Sequence, residues 1–87
     1  MNDDHARGNE KDYQIVVNGV PRTVSEPQVS YEQVTQLAFP VPPVPDTLYS
    51  VTFRKAKGEK EGSLAPGASV EIKHQGTVFN VTPTGKS

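Results

Sequence analysis

Hydrophobic and polar residues alternate along Tyr13–Asn18, with Tyr13, Ile15 and Val17 on one face and Gln14, Val16 and Asn18 on the other. Alternation with period two is the pattern of a strand buried on one side. Asn18-Gly19 follows, a pair that tolerates positive φ at both positions, so the chain is expected to reverse into a second strand over Val20–Val24. Pro21 cannot donate to a ladder, which suits an edge strand or a widened turn. In the simplest register Val20, Arg22 and Val24 share the inner face, an awkward burial for an arginine.

The period changes after Glu26-Pro27. Tyr31, Val34, Leu37 and Ala38 form an apolar stripe at helical spacing, while Glu32, Gln33, Thr35 and Gln36 face elsewhere. Ser30 and Gln33 fit a capping box, and Val29 and Val34 a hydrophobic staple. Pro40, Pro42, Pro43 and Pro45 disfavour helix and stop it near Phe39. A helix of about nine residues cannot stand alone where roughly 12 to 15 are needed, so its stripe requires a partner surface. Alternation resumes over Leu48–Arg54, with Tyr49, Val51 and Phe53 on one face. Lys55–Gly62 reads as a solvated loop and Leu64–Gly67 as a tight turn with Leu64 inward. Ala68–Lys73 and Thr77–Val81 read as two strands joined through His74-Gln75-Gly76. Residues 1–12 lack periodicity and are expected to form a flexible arm, and residues 82–87 a free tail, which leaves one domain over 13–81.

Hairpin, helix, strand, hairpin is an order that buries a lone amphipathic helix across one face of a mixed sheet of four to five strands. The expected fold is therefore an α+β roll of the β-grasp type. Its first and last strands lie side by side at the centre, with Ile15 and Val17 meeting Phe79 and Val81 beneath Val34 and Leu37. In that core Leu37→Ala is expected to cost about 2 to 5 kcal/mol.

Composition narrows the function. With 87 residues, of which 33% are hydrophobic, the chain builds one thin core and no deep catalytic cleft, which argues against an enzyme. A formal charge of -1 offers no general attraction to nucleic acid or to an anionic membrane. Without cysteine there is no disulfide framework, zinc-thiolate site or thiol nucleophile. Neither a membrane-length apolar run nor a secretory leader is evident, so the expected location is cytoplasmic.

Several motifs dissolve when their context is checked. Gly85-Lys86-Ser87 has the ending of a phosphate-binding loop, but Asn80 stands where that loop needs its first glycine and no helix follows. Asn80-Val81-Thr82 is a glycosylation sequon without a leader. His5 and His74 have no carboxylate at ligand spacing, so no metal is expected. Pro40–Pro45 contains P-x-x-P frames, read as a stiff connector. Lys55, Lys57 and Lys60 are interleaved with Glu59 and Glu61 and read as a solvated loop. Val16 and Val78 point outward and become neighbours if the first and last strands pair, which makes them a candidate partner-binding face.

YQIVVNG, the S-Y-E-Q-V…L-A-F-P helix, Y-S-V-T-F-R, G-S-L-A-P-G-A-S-V and V-F-N-V-T together resemble the bacterial multiubiquitin-type ubiquitin-like proteins, from Tyr13 to Ser87. The resemblance implies a ubiquitin-like β-grasp modifier that has no catalytic residue or cofactor of its own. It also implies, as partners, an activating enzyme that uses ATP, a conjugating enzyme, a processing peptidase and target proteins, in systems of defence against phage. The conjugation tail is then Thr82, Pro83, Thr84, Gly85, Lys86 and Ser87. One departure stands out. Such modifiers usually end in Gly-Gly, because only glycine tolerates the narrow enzyme channel, and here the ending is Thr84-Gly85-Lys86-Ser87. Trimming after Gly85, use of the Ser87 carboxylate, and a non-covalent adaptor that is never conjugated remain open. The family name implies tandem copies, whereas one domain is read here.

Overall fold

The computed structural model describes residues 12–41 and 47–86. Within them the chain runs β1 (Tyr13–Val17), β2 (Val20–Val24), β3 (Gln28–Ser30), α1 (Tyr31–Ala38), β4 (Thr47–Arg54), β5 (Glu61–Leu64), β6 (Ser69–Glu71) and β7 (Gln75–Lys86). Five strands form one sheet in the order β2-β1-β7-β4-β5, and β3 and β6 pair separately. β1 and β7 are parallel, and the remaining pairs of the large sheet are antiparallel. With one helix packed on it, this is the α+β, ubiquitin-like β-grasp roll.

Local chemistry explains why the elements begin and end where they do. Asn18 and Gly19 have φ of 53° and 81°, the left-handed pair that a tight hairpin between right-twisted strands requires. The Ser30 hydroxyl accepts from the Gln33 amide at 3.1 Å and the Gln33 side chain accepts from the Ser30 amide at 3.0 Å, completing the capping box. At the other end Phe39 donates its amide to Thr35, and Pro40 follows. The core lies between α1 and the large sheet, where Ile15, Val17, Val34, Val51, Phe53, Phe79 and Val81 are buried. Each such side chain contributes roughly 1.5 to 3 kcal/mol by leaving water.

Several expectations change. Arg22 is exposed, because β2 is an edge strand of which only Val24 packs on the core. Leu37 packs on the core only partly buried, whereas Thr35, assigned to the outer face, is buried with its hydroxyl donating to the Glu32 carbonyl at 3.1 Å. Glu61 and Gly62, read as loop, begin β5, where Gly62 lies opposite Phe53. A Cβ at Gly62 would sit 3.1 Å from the Phe53 ring, a tight contact that a larger residue makes only if the ring shifts by a few tenths of an ångström. The segment 68–73 does not form a hairpin with β7. Its strand, β6, pairs with β3, a three-residue strand too short to show a period. The end of the chain differs most. Thr82–Lys86, expected as a free tail, continues β7 along residues 47–50 of β4. These tail residues are polar and glycine- or proline-containing, so they carry no strand pattern of their own and acquire structure only by pairing.

Candidate functional site

Among the described residues, the C-terminal half of β7 is built on one strand only. β1 ends at Val17, whose register partner is Phe79, and β5 ends at Leu64, opposite Val51. Beyond those points Ser50 pairs with Thr82, Tyr49 with Pro83, Leu48 with Gly85 and Thr47 with Lys86, with an irregularity between Leu48 and Tyr49 that leaves Thr84 outside the register. The Thr84 hydroxyl donates to the Leu48 carbonyl at 3.2 Å. Thr82, Pro83 and Thr84 are exposed. Residues 47–50 and 82–86 thus form a two-stranded ribbon that extends past its neighbours.

Both flanks of the ribbon's root are closed by a side chain. On the β1 side, the Asn18 amide nitrogen donates to the Val81 carbonyl at 3.0 Å, and the Val81 amide donates to Asn18 Oδ1 at 2.8 Å. The Asn18 backbone amide donates to the Phe79 carbonyl at 3.0 Å, so the side chain continues the parallel ladder by one further step. On the β5 side, the Tyr49 amide donates to the Tyr31 hydroxyl at 3.0 Å, and that hydroxyl faces the Tyr49 carbonyl at 3.4 Å. Phe39 stacks on the Tyr49 ring at 5.3 Å, which fixes β4 to the end of α1. Backbone groups alternate sides along a strand, so Pro83, two residues beyond Val81, points its missing N–H at the open edge. A proline is therefore accommodated within β7 without breaking a bond to β4.

On the face of the sheet away from α1, one row crosses all five strands: Pro21, Val16, Val78, Arg54 and Glu61. Val16 and Val78, expected to adjoin, are register partners and both are half-buried. They form a small apolar island between Pro21 and Arg54. At the opposite end of β7 from the ribbon, a cavity of about 260 Å³ is lined by Tyr13, Pro27, Lys57, Ile72, Lys73 and His74. Its Tyr13 and His74 rings stack on each other at 4.7 Å, and Lys57 lies 3.8 Å from Glu71. Among the described residues no group of histidine and carboxylate side chains could hold a metal ion, and no helix is long and apolar enough to cross a membrane. His5, Pro42–Pro45 and Ser87 lie outside the described residues.

Sequence reasoning singled out Val16, Val78 and the tail, but not Asn18 or the Tyr31 hydroxyl. Asn18 was legible as a turn residue; its second role depends on Val81, 63 positions away. Tyr31 was legible as part of the apolar stripe, and nothing local points its hydroxyl at Tyr49.

A family model described as Multiubiquitin matches residues 13–85. No curated protein matches, and no solved structure matches.

Proposed function

This chain belongs to the multiubiquitin family, and from that membership we propose that it is a ubiquitin-like protein modifier whose C-terminal strand is the substrate of other enzymes. The observation that carries the reading is the ribbon: among the described residues β7 keeps a single partner strand from Thr82 onward, where β1 no longer flanks it. Within this reading a peptidase removes whatever follows Gly85, leaving a glycine carboxylate that fits a narrow channel because it has no Cβ. The activating enzyme joins that carboxylate to the adenylyl group of ATP and releases pyrophosphate. A cysteine thiolate of the enzyme then displaces AMP to form a thioester, and after transfer to the conjugating enzyme a target lysine amine displaces the thiol, giving an isopeptide bond. ATP is consumed by the activating enzyme, and this chain contributes a recognised surface and a reactive end. The setting of the reaction is the cytoplasm of a bacterium, in a system of antiviral defence.

Expression of the protein with its activating enzyme, conjugating enzyme, peptidase and ATP, followed by intact-mass measurement, tests the reading. A chain ending at Gly85, and adducts joined through it, are expected. An unchanged mass in the presence of enzymes shown to be active overturns it. The Val16–Val78 island favours a second reading, a non-covalent adaptor that docks partners on the open sheet face. An adaptor keeps its partners when Gly85–Ser87 are deleted and loses them in Val16→Asp or Val78→Asp; a modifier loses attachment on the deletion.

A further inference from the structure

The ribbon has to open if its end is to enter an active site, and the structure specifies where. A two-stranded antiparallel ribbon is marginal by itself in water, so residues 47–50 and 82–86 depend on what anchors their root. β4 is anchored on its far side by the Tyr31 hydroxyl and the stacked Phe39 ring. β7 is anchored at Val81 by the two hydrogen bonds of the Asn18 side chain, and beyond Val81 nothing on the β1 side holds it among the described residues. Pro83 then faces that side without a donor.

We propose that Asn18 is a positioning residue for the C-terminal strand. By holding both backbone groups of Val81, it makes Val81 the hinge about which residues 82–86 leave β4 and extend towards the activating enzyme. The step rests on the modifier reading above. Asn18 suits the role because its amide offers a donor and an acceptor together, and because asparagine tolerates the positive φ of 53° that the turn imposes. Without this clamp the separation of β7 from its neighbours is not confined to the tail: it spreads back towards Phe79, and the end of the chain is presented in many directions.

The test compares the full-length wild type with Asn18→Gly, which keeps the turn conformation and removes the amide, and with Asn18→Asp. Amide exchange is followed at Val81 and at Phe53, alongside activation kinetics with ATP. In Asn18→Gly, Val81 protection is expected to fall about tenfold further than that of Phe53, whose own loss reports the global destabilisation, and the KM of the activating enzyme for this protein is expected to rise about tenfold at constant kcat. Asn18→Asp provides a chemical rescue. At neutral pH its carboxylate still accepts from the Val81 amide but repels the Val81 carbonyl and donates nothing to it, so part of the protection is lost; below about pH 4 the protonated acid regains a donor beside its acceptor, and that part returns. Unchanged Val81 protection and KM in Asn18→Gly, or an Asn18→Asp that is indifferent to pH, overturns the proposal. If the wild type itself is not activated, the modifier reading fails, and exchange alone decides the hinge: a loss at Val81 and the tail in excess of that at Phe53 supports it, and an equal loss at all of them overturns it.

Discussion

Asn18 and Val81 are 63 positions apart, yet the side-chain amide of the first takes both backbone groups of the second, at 3.0 and 2.8 Å. The contact lies where the central strand passes the end of its parallel neighbour. Two hydrogen bonds are worth roughly 0.5 to 1.5 kcal/mol each, so Asn18→Gly is expected to lower stability by about 1 to 3 kcal/mol. Asn18→Ala is expected to cost about 1 kcal/mol more, because an alanine Cβ is strained at positive φ. Urea unfolding of the two variants beside the wild type measures both differences, and equal midpoints for glycine and alanine would contradict the φ argument.

Tyr31 performs the matching task on the other flank. Tyr31→Phe keeps the buried ring but leaves the Tyr49 amide and carbonyl without their partner. The expected loss is about 1 to 3 kcal/mol, read as a fall in Tm of roughly 4 °C or more in a thermal melt. A Tm equal to that of the wild type would show that water replaces the hydroxyl at no cost.

Burial ranks two aliphatic positions that the helical stripe and strand alternation treat alike. Ile15 is 1% exposed, and Ile15→Ala is expected to cost about 2 to 5 kcal/mol. Leu37 only packs against the edge of the core, so Leu37→Ala is expected to fall below about 2 kcal/mol, less than the helical pattern alone implies. Chemical denaturation of the two variants checks the order.

Neighbouring residues of the ribbon respond oppositely to proline chemistry. The amide of Thr82 points at β4 and that of position 83 points away, so Thr82→Pro is expected to raise amide exchange at Ser50, its register partner, by about tenfold, the equivalent of one hydrogen bond. Pro83→Ala is expected to leave Ser50 exchange unchanged. Equal effects from the two variants would contradict the assigned alternation of the ribbon.

Much of the architecture is written locally. The alternation of Tyr13–Val17, the Asn18-Gly19 turn, the capping box of Ser30 and Gln33 and the proline stop after Phe39 each act through neighbours a few positions away, and each appears where the pattern places it. A period of two or of 3.6 reports which face of an element is buried, so the core of Ile15, Val17, Val34, Phe79 and Val81 was legible as well. Periodicity does not report which strand lies alongside. β3 has three residues and no period to show, β6 pairs with it instead of with β7, and β5 begins inside a charged stretch whose glycine lies close against the Phe53 ring. For the candidate site the division is sharper. Val16 and Val78 could be named from their alternation, whereas the ribbon of residues 82–86 exists only because β4 extends far enough to pair with it. The clamps at its root join Asn18 to Val81 and Tyr31 to Tyr49 across distances that no local rule spans. The sequence by itself determined the elements and their buried faces, because those follow from short-range sterics and hydrophobic spacing. Only the tertiary structure decided the partners of β3, β4, β5 and β6 and the place where the C-terminal strand leaves the body of the fold, because unpaired backbone groups are satisfied by whatever folding brings beside them.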